Sequence, residues 1–117
     1  MFTTRQTLFL TAFALALAVA TPSASAAQDA SVKHGMEVYA AQKCSVCHQV
    51  AGKGNKQNPL DGVGKKLTAA EIRQWIVSPT EMTAKVKSTK KPPMPAKYGK
   101  LPAADIDALV AYMQSLK

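Results

Sequence analysis

An all-α fold is predicted for this chain of 117 residues by three observations. Apolar residues recur at helical spacing in separate segments, one of those segments opens with a complete helix-start signal, and no stretch reads as a buried parallel strand followed by a crossover helix. Loops rich in Gly, Asn, Pro and Lys separate the helical segments, and no internal repeat is apparent.

The N-terminal segment starts with Arg5 and runs from Leu8 to Ala20 as 13 almost unbroken apolar residues, Thr11 being the polar exception. Ala24-Ser25-Ala26 then satisfies the small-residue cleavage rule of a secretory signal. Residues 1–26 read as a cleaved signal peptide, with the cut after Ala26 or Ala27, and residues 27–117 as one domain. An apolar run this short falls below the roughly 18–20 residues that a bilayer span needs. No stable membrane insertion is therefore expected after cleavage, and export places the mature chain in a periplasm or an equivalent compartment.

The first helix is predicted over Asp29 to Lys43, where Val32, Gly35, Met36, Tyr39 and Ala40 recur at i, i+3, i+4, i+7 and i+8. Gly35 would weaken a helix interior, so its expected use is to let another helix cross closely. From Gly52 through Gly54, Asn55, Asn58, Pro59, Gly62 and Gly64 the composition is that of turns, with little periodicity. Thr68 followed by Glu71 is a capping-box pattern that opens the second helix. Ile72, Trp75 and Ile76 share one face of it, and Pro79 ends it. Thr80 to Lys100, with Pro92-Pro93-Met94-Pro95 at its centre, is expected to be a Lys-rich and Pro-rich loop. The last helix opens near Pro102, carries Asp105 and Asp107 in its early turns to suit the macrodipole, and buries Ile106, Leu109, Val110, Met113 and Leu116.

Chemistry concentrates in Cys44-Ser45-Val46-Cys47-His48, a Cys-x-x-Cys-His run that reads as a c-type haem attachment site. Two thiols on one helical turn can each add across a vinyl group of a porphyrin, and the following imidazole can bind the iron. Cys-x-x-Cys alone also serves dithiol redox centres and half-sites for zinc. A structural zinc site would need two further Cys or His, and His34 is the only other candidate. The immediate His therefore favours haem, one group held covalently. In a domain of this size the porphyrin would also form the centre of the core.

Removing Arg5 with the leader leaves 14 Lys and Arg against 7 Asp and Glu, a formal charge of +7. Lys53, Lys56, Lys65 and Lys66 form one group, and Lys85, Lys87, Lys90, Lys91, Lys97 and Lys100 another. Such runs commonly face water; the sharper reading is a basic surface around a haem edge that steers redox proteins with acidic docking surfaces. Export and the lack of any binding motif argue against nucleic acid.

Of the five methionines, Met1 leaves with the leader, while Met36 and Met113 lie on apolar helical faces where packing is the default role. Met82 and Met94 fall in loops, the better places for a second axial ligand. Met94 is flanked by Pro93 and Pro95, whose fixed φ angles lower the entropy cost of holding it in place. Met94 is the preferred assignment; Met82, and after it His34 or an open site, are the alternatives.

Across the whole mature region the chain resembles small bacterial class I c-type cytochromes. The matching features are Gly35 with Tyr39, Cys44 to His48, Pro59-Leu60 with Gly62 and Gly64, the isolated Met94-Pro95, and the closing Leu109 to Leu116 helix. The resemblance implies three main helices and loops wrapped around one covalent haem c, with Gly35 and Tyr39 meeting Leu109 and Tyr112. It implies Cys44 and Cys47 as thioether links, His48 as the proximal iron ligand and Met94 as the distal one. The Pro59 carbonyl would accept from the other ring nitrogen of His48. Trp75 would line the crevice and give its indole N–H to a propionate, or be plain core; Leu67, Ile76 and Tyr98 are further crevice candidates. The implied role is non-enzymatic: a monomeric carrier of single electrons, or alternatively a fixed haem subunit of a periplasmic dehydrogenase for sulfur compounds or alcohols. Three departures bear on packing. Asn58 replaces the usual Gly before the proline, Tyr39 precedes Cys44 by five residues instead of four, which would shift the aromatic contact toward Val38, and Pro102 replaces the usual Ser or Thr cap.

Overall fold

Helix α1 spans Ala24–Ala41 in the computed structural model, which describes residues 18–117. Arg5 and most of the apolar run that follows it lie outside the described residues. Ser23 caps α1 by accepting from the Ala26 N–H, so the helix begins five residues ahead of Asp29 and crosses the expected cleavage point. Everything from Ala24 to Ser31 is exposed, and Val32 is the first residue to touch the core. Among the described residues no helix is long and apolar enough to cross a membrane.

The buried face of α1 is Gly35 and Val38, with Val32 and Tyr39 beside them. Met36, expected on that face, is 52% exposed, and Ala40 is exposed as well. The reason is the crossing with α5, Ala103–Ser115, the most extensive contact between any two elements. At Gly35 a Cβ would stand 2.1 Å from the Ala108 carbonyl oxygen and 2.7 Å from Tyr112 Cβ. That approach centres the stripe on Gly35 and turns Met36 outward. Tyr39 meets Tyr112 edge to face at 5.6 Å, so the expected shift to Val38 adds an aliphatic contact and leaves the aromatic one in place.

After α1, Lys43 adopts a left-handed conformation (φ 56°) and turns the chain into a single 3-10 turn, Cys44–Val46. A two-residue hairpin follows, β1 Gln49–Val50 paired antiparallel with β2 Lys53–Gly54. Short helix α2, Val63–Lys66, rests on α5 through Gly64, where a Cβ would stand 2.3 Å from the Gln114 carbonyl oxygen.

Helix α3, Ala69–Val77, starts at Thr68 with the full reciprocal capping box to Glu71 and buries Ile72 and Ile76. The bonds from the Thr68 amide and hydroxyl hold the Glu71 carboxyl below the usual carboxylate range. Pro79 does end α3, yet it also begins another helix, α4, Pro79–Lys85, in a region expected to be loop. Proline is well placed at a first helical position, where its missing N–H costs nothing. A second 3-10 segment, Ala96–Lys100, precedes α5.

Pro102 caps α5 with no side-chain bond, leaving the exposed Ala103 and Ala104 amides to water. Asp105 accepts from His34 Nε2 at 2.8 Å and Asp107 pairs with Arg73, tying α5 to α1 and α3. The core is Val38, Ile72, Ile76, Ile106, Leu109, Val110, Tyr112 and Met113. Because the α1–α5 crossing leaves no room for a side chain, Gly35→Val is expected to destabilise the haem-loaded protein by at least about 2 kcal/mol. Denaturant unfolding measures this, and an unchanged midpoint would mean that the helices part without cost.

Candidate haem site

The attachment turn is held by the loop that follows it. His48 N–H bonds the Cys44 carbonyl at 2.9 Å and Cys47 N–H the same oxygen at 3.1 Å, so both thiols and the imidazole lie in one turn. The carbonyls of residues 45 to 48 are then each bonded by an asparagine. Asn55 N–H reaches Ser45 at 3.1 Å and His48 at 3.0 Å, Asn55 Nδ2 reaches Val46 at 3.2 Å, and Asn58 Nδ2 reaches Cys47 at 3.1 Å. Gly54, at φ 106°, makes this wrapping possible, since a Cβ there would stand 2.1 Å from the His48 oxygen.

His48 Nδ1 lies 3.2 Å from the carbonyl oxygen of Asn58. A carbonyl only accepts, so Nδ1 carries the proton and the lone pair of Nε2 is left free in the neutral ring. Burial pushes the His48 pKa below its ordinary value, with the bond to Asn58 acting the other way. The neutral, metal-competent form is the favoured one. This corrects the expectation for Pro59, whose carbonyl is not the acceptor. Gln49 N–H already bonds the Asn58 oxygen at 3.1 Å and Leu60 N–H bonds Gln49 at 2.8 Å, and this bridge points the Asn58 carbonyl at the ring.

One cavity of about 690 Å³ gathers the expected residues: Cys44, Cys47, His48, Pro59, Trp75 and Met94 all line it. Leu67, Ile76 and Tyr98 are there too, together with Leu109 and Met113 of α5. Met82 is not; it sits in α4, 6% exposed, and packs as core. His34 is likewise absent from the lining, being engaged with Asp105 on the outside of the α1–α5 contact. Cys44 and Cys47 form no disulfide with each other, and burial raises the Cys44 pKa, opposed by the backbone bond of its turn, helped by neighbouring Cys47 and opposed by Lys97. Among the described residues no three His, Cys, Asp or Glu side chains converge as a metal-binding group.

A model of the Cytochrome c family matches residues 32–117, which takes in the whole of this arrangement. The chain belongs to the cytochrome c family. No curated protein and no solved structure matches it. Members of this family are electron-transfer proteins that bind a covalently attached haem c, and the class I fold agrees with the largely helical architecture.

The residues of this cytochrome fit that group. The cavity volume lies within the roughly 300–1,000 Å³ of cofactor sites, and its walls are mainly apolar, with two thiols on the attachment turn. Tyr39 reaches the lining with a buried hydroxyl that has no protein partner. An unsatisfied buried hydroxyl costs on the order of 1–3 kcal/mol, which is expected where a further polar partner belongs.

Sequence reasoning overlooked Asn55, Asn58 both as the donor to the Cys47 carbonyl and as the carbonyl that accepts from His48, Gln57, and the lining Lys43. The Gly54-Asn55 and Asn58-Pro59 pairs were visible turn signals, and their bonding to the attachment turn was not.

Burial, with smaller contributions from Cys44, Tyr112 and Asp61, pushes the Tyr39 pKa from 10.0 up to about 12. Because the folded value is raised, the stabilisation is complete below the unfolded pKa and is lost as pH rises from about 10 toward 12. Tyr39→Phe is expected to flatten that part of the stability curve. Unfolding at stepped alkaline pH checks it, and identical slopes for the two proteins would rule it out.

Proposed function

We propose that this cytochrome is a periplasmic monohaem protein of the bacterial class I type, carrying single electrons with His48 and Met94 as axial ligands. The observation that carries the reading is that Met94, from a distant segment, lines the same cavity as Cys44, Cys47 and His48 of the attachment turn. Cys44 and Cys47 would form the two thioether links. When bound, the haem supplies an iron centre that exchanges one electron at a time.

The residues of the chain account for the rest. The Asn58 carbonyl fixes the His48 tautomer and ring orientation. Met94, partly buried against the core, presents a soft and weak thioether donor that favours the reduced metal and raises the potential relative to two imidazoles. With His48 and Met94 both holding the metal, substrate would have no easy access to it, which would fit electron transfer better than catalysis.

Residues 1–26 are proposed to leave as a signal peptide. The start of α1 is exposed and outside the core, so a mature chain beginning at residue 27 keeps every core contact. The partners are proposed to be redox proteins with acidic docking surfaces. Lys43, Lys90 and Lys97 stand in the cavity lining and no Asp or Glu does.

Met94→Ala is expected to remove the sulfur-to-iron charge-transfer band of the oxidised protein and to lower the potential. Absorption spectra in both oxidation states and a redox titration test this; an unchanged spectrum would assign the ligand elsewhere. Electron exchange with an acidic redox protein is expected to slow as salt rises from about 10 mM to 0.15 M, as the Debye length contracts. Rates flat across that range would remove the steering role.

A further inference from the structure

The segment that carries Met94 has few attachments of its own. Ser88 N–H bonds Thr83 at 3.0 Å and Lys90 N–H bonds the Ser88 hydroxyl at 3.3 Å, both local contacts. Among the described residues, the backbone of residues 91–94 makes no hydrogen bond to the rest of the chain. Pro92 and Pro93 have no N–H to give. Apart from the packing of Met94 against the core, one polar contact ties this segment to the other side of the site: Lys90 Nζ donates to the Gln57 carbonyl at 2.7 Å.

Gln57 is the residue before Asn58, whose own carbonyl accepts the hydrogen bond from His48 Nδ1. Two successive carbonyls of one loop thus serve the two sides of the site. Asn58 orients the imidazole, and Gln57 receives the ammonium of the Met94 segment. Both Gln57 and Lys90 belong to the cavity lining, so the bond closes part of its rim.

We propose that Lys90 is a positioning residue: its bond to the Gln57 carbonyl latches the Met94 segment onto the loop that holds His48 and sets how often Met94 leaves the metal. The inference rests on the proposed Met94 ligation. Because the acceptor is a neutral carbonyl and the bond is at the surface, its effect is that of one exposed hydrogen bond. It keeps the segment closed by roughly threefold to tenfold.

The test is ligand exchange in the oxidised, haem-loaded protein. Imidazole, a small competitor for the metal, is mixed at saturating concentration, and the rate at which the charge-transfer band disappears is followed. At saturation this rate reports opening of the Met94 segment. Lys90→Met keeps the aliphatic stem and removes the donor, and it is expected to open about three to ten times faster. Lys90→Arg, which restores a cationic donor of similar reach, should return to near the wild-type rate. Lys91→Met makes the same charge change one residue away and should leave the rate as it was. Equal rates for Lys90→Met and wild type, or equal acceleration by Lys91→Met, would overturn the latch while leaving the ligation intact. A wild-type spectrum lacking the band would overturn the Met94 ligation and the latch with it.

Discussion

The close approach of α1 to α5 at Gly35 is the constraint from which the rest of the site follows. No side chain separates the helices there, so their spacing is set by backbone against the Ala108 carbonyl and Tyr112 Cβ. A distance fixed by hard contact varies far less than one set by flexible side chains. The α1 end therefore has a defined place relative to Leu109 and Met113, two α5 residues of the cavity wall. Lys43 then swings the chain out of α1, and the attachment turn begins at Cys44. Gly64 repeats the device from another side, with its N–H bonded to the Leu116 carbonyl at 2.8 Å. Helix α5 is thus gripped twice by main chain, and the cavity is what the grip leaves open.

Around that frame the two sides of the site are held by different physics. The His48 side is a hydrogen-bonded shell in which two asparagines satisfy four successive carbonyls and the Asn58 oxygen holds the ring. Cys47 and His48 are half-buried, and their carbonyls would otherwise be unpaired there, so the shell and the turn stabilise one another. The Met94 side has prolines, apolar packing and, among the described residues, one hydrogen bond from Lys90 across to the His48 loop. Prolines restrict the segment without bonding it to anything. The first side has more bonds to break than the second. Under the proposed ligation, the imidazole would be the constant member of the pair.

Helices were legible in the sequence where one face is apolar and a start is marked. The Thr68–Glu71 box and the Ile106, Leu109, Val110, Met113 stripe formed as their pattern implies. The stripe of α1 was readable only to within one residue's rotation, because glycine has no hydropathy to vote with and Val38 competes with Met36. Helix α4 was hidden by Pro79, which carries opposite meanings at the end of one helix and the first position of the next. The attachment turn was plain since its chemistry is contiguous. Asn55, Gln57 and Lys90 were not, because each acts through a backbone carbonyl, its own or a partner's, and a carbonyl leaves no trace in the residue that bears it.

The charge distribution follows from the same architecture. Several acidic side chains are already engaged away from the cavity. Asp105 receives His34, Asp107 receives Arg73, Glu71 serves the α3 cap, and Asp61 takes the Ala51 N–H. Each of these contacts shapes a helix end, a helix crossing or a turn, so the anions are placed by the demands of the fold. No such demand places an acid in the cavity lining, where Lys43, Lys90 and Lys97 stand without one. The charges that do line the cavity are therefore all positive, and they stand beside apolar walls that screen them poorly. Folding thereby brings Lys43, far from Lys90 and Lys97 in the sequence, to the wall of the same cavity as those two.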